Sequence, residues 1–388
     1  MKNGRIRKIL MAHRGGKLEI VPRVPLNTRE DLAIAYTPGV GEVCMAVHKK
    51  PSDAYRYTIK HNAVAIVTDG SAVLGLGDIG PLAALPVMEG KAILFKKFGG
   101  VDAYPVCLAT RNVEKIVEIV CSMAPGFGGI NLEDIASPRC FIIEEKLKRR
   151  LKIPVFHDDQ HGTAIVVLAA LSNALKLADK HISRVRIVFN GAGAAGIAVA
   201  KILWKAGARH IFLCDRNGVI CKKRKHGMNT AKRNILKYLD PAAKPGSLAD
   251  AMKESDVFIG LSGPKLVTRE MVKSMNEKPI IFAMANPVPE IMPDEARKAG
   301  AFIIGTGRSD FPNQINNLLA FPGVFRGALD ARAKQITEEM KVAAGMAIAG
   351  MVSENKLAPD YIIPSALDKA VAKNVANAVR RVALKNRK

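Results

Sequence analysis

Aromatic residues are scarce: they make up 5% of the chain, and tryptophan occurs once. None interleaves with the basic runs at Lys146–Lys152, Lys222–Lys225 and Arg380–Lys388. A stacking platform for single-stranded nucleic acid is therefore not expected, because such platforms set rings among their cations. No two of the six cysteines (Cys44, Cys107, Cys121, Cys140, Cys214 and Cys221) stand at Cys-x-x-Cys spacing, and most lie in apolar runs. That pattern excludes a disulfide scaffold and a cysteine-based zinc site, and suits thiols kept reduced in a cytoplasm. No uncharged run reaches the roughly 20 apolar residues of a bilayer span. The longest, Gln160–Leu175, is short and carries His161, Ser172 and Asn173. The N-terminus lacks the apolar stretch of a secretory signal. A membrane partner is not expected.

Acidic residues are also few. Asp and Glu number 35 against 59 Lys and Arg, which gives a formal charge of +24. Such a balance fits either an anionic polymer or a basic surface around a site for small anions. The scatter of the basic runs favours the second, so no nucleic-acid partner is expected. What the chain has in quantity is apolar sequence, 48% of 388 residues, enough for two or three domains with a large core.

Apolar β-rich runs alternate with amphipathic stretches, which predicts an α/β fold with parallel sheet. Ala63–Thr68 reads as a buried strand, followed by the glycine-rich loop Leu74–Gly80 and an apolar helix over Pro81–Lys97. Ile153–Phe156 reads as a short strand, His157–Thr163 as its polar turn, and Ala164–Ala178 as a buried helix. The Ala-Pro-Gly break near residues 125–130 suggests a domain boundary, and Pro322 a linker to helices at the C-terminal end. The division expected is residues 1–127, an α/β domain; 128–328, a dinucleotide-binding domain; and 329–388, helices that pack back on the first.

The most specific local motif is Gly191-Ala192-Gly193-Ala194-Ala195-Gly196. It follows a strand at Arg184–Phe189, opens a helix, and has Asp215 19 residues further on. This is the context of a Rossmann dinucleotide fingerprint: glycines for the turn, the close approach of the pyrophosphate and the helix packing. Asp215 suits a ribose 2′-hydroxyl and hence NAD. Arg216 and Lys222–Lys225 suit a 2′-phosphate and hence NADP, and both cofactors stay open.

Two acidic pairs, Glu133-Asp134 and Asp158-Asp159, follow predicted strands and could converge on one Mg²⁺ or Mn²⁺, which prefer carboxylate oxygens. Tyr36, in the turn Tyr36-Thr37-Pro38-Gly39, could serve as a general acid beside a cation. Lys91 lies within an apolar helix. Partial burial there would lower its pKa and make it a usable base; snorkelling is the competing reading. Asn286, after a strand, and Asn317 are candidates for a ligand crevice.

Taken together, these segments resemble the malic enzymes in their short-subunit form. The resemblance rests on Tyr36-Thr-Pro-Gly-Val, Thr68-Asp-Gly-Ser, Leu74-Gly-Leu-Gly-Asp-Ile-Gly, Glu89-Gly-Lys, Leu132-Glu-Asp, His157-Asp-Asp-Gln-His-Gly-Thr, Gly191-Ala-Gly-Ala-Ala-Gly and Ala285-Asn-Pro-Val-Pro-Glu, spread over nearly the whole chain. It implies oxidative decarboxylation of L-malate to pyruvate and CO₂ with reduction of NAD(P)⁺. It also implies Tyr36 as general acid, Lys91 as general base, and Glu133, Asp134 and Asp159 as metal ligands with Asp158 beside them. Asn286 and Asn317 would contact the substrate, and Asn286 lies near the cofactor too. Larger members of the family carry a substrate-gripping arginine where this chain has Ala72. A neighbouring subunit could replace it, so a homodimer with shared active-site residues is expected. A malolactic reaction on the same residues, giving lactate, is the alternative; a basic nucleic-acid-binding protein is a distant third.

Overall fold

The computed structural model describes residues 2–73 and 75–386. Leu74, at the head of the glycine-rich loop, and Arg387 and Lys388, at the end of the last basic run, lie outside the described residues.

The chain begins with helices α1 (Lys2–Ala12), α2 (Arg29–Ala35), α3 (Val40–Lys49) and α4 (Ala54–Tyr57). Thr28 and Asp31 close a capping box at the start of α2, where the side chain of each accepts from the backbone of the other. No described residue up to Lys49 is buried.

A first sheet follows, built from β1 (Ala63–Thr68), β2 (Asp102–Cys107), β3 (Gly129–Leu132) and β4 (Val155–His157). Its order is β2-β1-β3-β4 and all its pairs are parallel. The unbroken apolar run of β1 is buried along its whole length, as a central strand of a covered parallel sheet requires. Helices α5 (Gly80–Gly99), α6 (Val113–Met123) and α7 (Arg139–Arg150) connect these strands. The boundary expected at residues 127 and 128 cuts this sheet, because β3 and β4 come after it. The Ala124–Gly126 break is a single 3₁₀ turn joining α6 to β3 rather than a linker.

Helix α8 (Asp158–Ala178) starts directly after β4, so of the turn expected over His157–Thr163 the first residue ends β4 and the rest forms the first helical turns. Two aspartates at a helix start are favoured by the macrodipole, which the polar look of the segment conceals. Among the described residues α8 is the one helix long and apolar enough to cross a membrane, and most of it is buried inside the molecule.

The second sheet contains β5 (Arg186–Asn190), β6 (His210–Asp215), β7 (Gly218–Val219), β8 (Val257–Gly260), β9 (Ile280–Ala283) and β10 (Ile303–Thr306) in the order β10-β9-β8-β5-β6-β7. All pairs are parallel except β6 with β7. Helices α9 (Ala194–Lys205), α10 (Thr230–Ile235), α11 (Leu248–Met252), α12 (Arg269–Lys273) and α13 (Pro293–Lys298) alternate with the strands. This is the doubly wound order that the glycine motif predicts.

Three helices close the chain: α14 (Phe321–Asp330), α15 (Glu338–Ala349) and α16 (Lys369–Lys385). Pro322, expected in a linker, sits in the first turn of α14, where its missing N–H is harmless. Phe321 and Phe325 meet Phe95 of α5 with ring centroids 4.7 and 5.3 Å apart. Helix α14 thus lies against α5 in the first sheet's layer, and α16 packs against α14.

Candidate active site

Register brings the acids together. Leu132 of β3 pairs with His157 of β4, so Glu133-Asp134 and Asp158-Asp159 leave adjacent strands at the same edge of the sheet. One carboxylate oxygen from each of Glu133, Asp134 and Asp159 lies within 4.8 Å of the others. Asp134 adopts φ of 54°, a left-handed conformation that Asp tolerates better than most residues. Its N–H donates to Asp159 Oδ2 at 2.8 Å. Asn131 Nδ2 donates to Glu133 Oε2 at 2.9 Å and fixes that carboxylate.

Lys91 joins this group from the middle of α5. Its Nζ donates to Glu133 Oε1 at 2.6 Å and to Asp158 Oδ2. It also lies 4.4 Å from the centre of the Phe321 ring, a cation–π contact supplied by α14. Asn317 Nδ2 donates to the same Asp158 oxygen at 2.5 Å. Room for Asp158 comes from Gly162 one turn along α8, where a Cβ would stand 1.9 Å from Asp158 Oδ1.

Burial governs the protonation of these groups. It pushes the Asp158 carboxyl up to about 7 and that of Asp159 up to about 6, with Lys91 pulling against it and neighbouring carboxylates adding to it. Glu133 is raised for the same reasons. Lys91 is the reverse of what the sequence suggested. Burial does oppose its charge, but Asp158, Glu133 and Asp159 outweigh that and hold the ammonium above its ordinary range. It neither snorkels nor becomes a weak base in an apolar setting; it balances a nest of acids.

Behind the acids, His161 Nε2 lies 2.8 Å from Glu144 Oε1, and Lys341 Nζ lies 3.0 Å from His161 Nδ1. These contacts tie the first turns of α8 to α7 and α15. Arg139 pairs with buried Asp69 at 2.9 Å and also donates to Ser71 Oγ, next to Ala72. Phe321, Arg139 and Lys341 carry no local mark in the sequence. Asp69 lies in the Thr68-Asp-Gly motif, but its partner is 70 residues away.

The remaining predicted residues are placed elsewhere. Asn286 stands just past the end of β9 beside the glycine-rich loop, where a Cβ on Gly75 would come within 3.3 Å of its carbonyl oxygen. Neither it nor Tyr36 touches the acid group in one chain, and Tyr36, at the end of α2, is 67% exposed.

The dinucleotide motif takes the expected form. Gly191 (φ +126°) forms the turn after β5, and its N–H donates to Cys214 O at 2.9 Å. A Cβ on Gly196 would fall 1.8 Å from Gly191 O, whereas one on Gly193 would meet open space. The turn is thus packed on its inner side and open where a pyrophosphate would approach. Asp215 ends β6 beside it, and Arg216 is exposed.

One chain thus combines a Rossmann-type sheet with a buried lysine set among carboxylates, which fits the class of dinucleotide-dependent enzymes. Comparison with known proteins narrows this. Residues 15–148 match the malic enzyme N-terminal domain, and residues 160–384 match the malic enzyme NAD binding domain. The chain belongs to the malic enzyme family. It is 59% identical over 369 residues to a bifunctional malic/malolactic enzyme of Bacillus subtilis, covering 95% of this chain and 90% of that one. It is 54% identical to an NAD-dependent malic enzyme of Geobacillus stearothermophilus, covering 96% and 77%. The malic enzyme of Pyrococcus horikoshii superposes with a TM-score of 0.94 at 48% identity, over 98% of this chain and 91% of that one.

Proposed function

We propose that the protein oxidises and decarboxylates L-malate to pyruvate and CO₂ while reducing NAD(P)⁺, in the cytoplasm. The observation that carries this reading is the buried contact of Lys91 with Glu133 and Asp158, at the edge of the acid group and in a chain that also holds the dinucleotide fold. Glu133, Asp134 and Asp159 offer three hard oxygen donors whose mutual repulsion one lysine only partly offsets, a set that fits Mg²⁺ or Mn²⁺. Bound there, the cation would polarise the carbonyl that forms at C2 as a Lewis acid.

The chain's own residues carry the protons. Lys91 starts as an ammonium; with its carboxylate partners engaged by a cation its hold on that proton weakens, the proton passes to solvent, and the free amine accepts the C2 hydroxyl proton. NAD(P)⁺, when bound, would supply the hydride acceptor. Asp158, held by Asn317, keeps the amine aimed at that oxygen. Tyr36 supplies the proton to C3 after CO₂ departs, and Asn286 borders the cofactor and substrate.

Tyr36 serves this role from a second copy of the chain. Among the described residues the segment that carries it buries none and exposes Leu10, Ile20, Val21 and Ile34, apolar surface of the kind that a partner subunit covers. A homodimer with exchanged tyrosines completes both sites. Absorbance of reduced nicotinamide formed from malate and Mn²⁺, with pyruvate as product, is expected. A folded protein giving neither sinks the proposal. The name of the Bacillus subtilis relative favours testing the malolactic reaction beside it: lactate formed without net cofactor reduction marks that outcome.

A further inference from the structure

We propose that Glu290 is a positioning residue: its carboxylate ties the loop after β8, which packs on the nucleotide turn, to the loop after β9, which carries Asn286, and so holds Asn286 in place for the substrate. The inference rests on the substrate role just given to Asn286. Glu290 is wholly buried. Its Oε1 accepts the N–H of Ser262 at 3.1 Å, and its Oε2 accepts the N–H of Ala285 at 3.0 Å. Ser262 follows Leu261, whose carbonyl oxygen lies 2.6 Å from where a Cβ on Gly191 would stand. Ala285 directly precedes Asn286. One side chain therefore spans the two main-chain segments that leave the carboxyl ends of β8 and β9, where a crevice for ligands is expected.

A carboxylate is costly to bury, and among the described residues no basic side chain pairs with this one. What it offers is two acceptor oxygens and no donor, which suits two N–H groups that arrive from different loops. An amide would turn its NH₂ toward one of them. The surroundings are shaped for it. Strand β8 ends in Gly260, where a Cβ would come 2.3 Å from Glu290 Cδ. Main-chain bonds from the Lys265 N–H to Pro289 O and from the Val267 N–H to Glu290 O, both 3.1 Å, fix the backbone that presents the carboxylate. Just past Asn286, Arg308 Nη1 donates to Pro287 O at 2.9 Å. A Cβ on Gly307 would fall 2.6 Å from Asn286 Nδ2. The Asn286 side chain itself makes only a long bond to Met284 O, 3.4 Å, among the described residues, so the neighbours of its main chain set its place.

Steady-state kinetics of the full-length protein with malate, at saturating cofactor and Mn²⁺, test this. Glu290→Gln is expected to raise KM for malate by about tenfold while kcat stays within about threefold, the split that follows when substrate positioning is lost. A purely structural role would lower the active fraction, and so kcat, and leave KM alone. Asn286→Ala should raise KM as well, and the double variant should match Asn286→Ala within about twofold, because the two residues act in series. Gly260→Ala keeps the carboxylate but crowds it. It should raise KM as Glu290→Gln does, and it carries the test if Glu290→Gln does not fold. A KM within about twofold of wild type in the folded variants overturns the proposal, as does a double variant whose increase is the product of the single ones. Either result leaves the substrate role of Asn286 standing. Asn286→Ala with a wild-type KM, or a folded wild type that does not turn over malate, instead removes the reading beneath the proposal and the proposal with it.

Discussion

Lys91 Nζ lies 2.6 Å from Glu133 Oε1, with both side chains almost fully buried. The pair is more than a structural ion pair, because Asp158 accepts from the same ammonium and Asn317 from the other side fixes Asp158. One positive charge thus serves two carboxylates, with a third, Asp159, close enough to influence it. Replacing Lys91 by Ala should lower kcat by about 10²- to 10⁴-fold, the usual worth of a positioned acid–base group. Binding of NAD(P)⁺, measured by calorimetry, should stay within about twofold of wild type, since the contacts of Lys91 are with Glu133, Asp158 and Phe321 and not with the nucleotide turn. A fully active variant would rule out the assigned base.

Asp159→Asn should raise the Mn²⁺ concentration for half-maximal rate by at least about tenfold, in line with the loss of one charged ligand. Nucleotide affinity should not follow. A titration with Mn²⁺ that is unchanged from wild type removes Asp159 from the ligand set.

The pH dependence of cation binding has a definite sign. Burial pushes Asp159 up to about 6 and raises Glu133 when no cation is bound, and a ligand must be deprotonated. At lower pH protons compete with the metal. Affinity for Mn²⁺ should therefore rise as pH goes from 5 to 7 and flatten above it, with protons released on binding at pH 6. Calorimetry in buffers of different ionisation enthalpy reads that release directly. A flat profile, or uptake of protons, contradicts the ligand assignment.

Tyr36→Phe and Lys91→Ala should each be nearly inactive alone. If the tyrosine crosses between subunits, unfolding and refolding the two variants together produces mixed dimers with one intact site. Random pairing then restores about a quarter of wild-type activity. No recovery, with dimers formed, returns Tyr36 to its own chain.

Much of this arrangement was legible in the residues. The glycine motif, its following acid and the alternation of apolar runs fixed the second sheet, because each strand there is a short buried run bounded by turn residues. The acids at strand ends were legible as candidates, but their convergence was not: it depends on Leu132 facing His157 across β3 and β4, which no local pattern encodes. The N-terminal end of α8 looks like a turn for a related reason. His and Gly disfavour a helix interior, and the packing behind them, with the two aspartates suited to a first turn, makes that segment helical. Lys91 shows the limit most plainly. In one dimension it is a lysine among apolar residues, and only in three does it acquire the neighbours that reverse the direction of its pKa shift.

Helix α8 starts at one end among the acids of the first sheet and carries its buried length toward the second, where β5 soon follows. A rigid rod held at both ends makes the halves mechanically dependent. The helix packs against both α9, behind the nucleotide turn, and α15, so a substitution that loosens either contact is transmitted along it to the aspartates of its first turn.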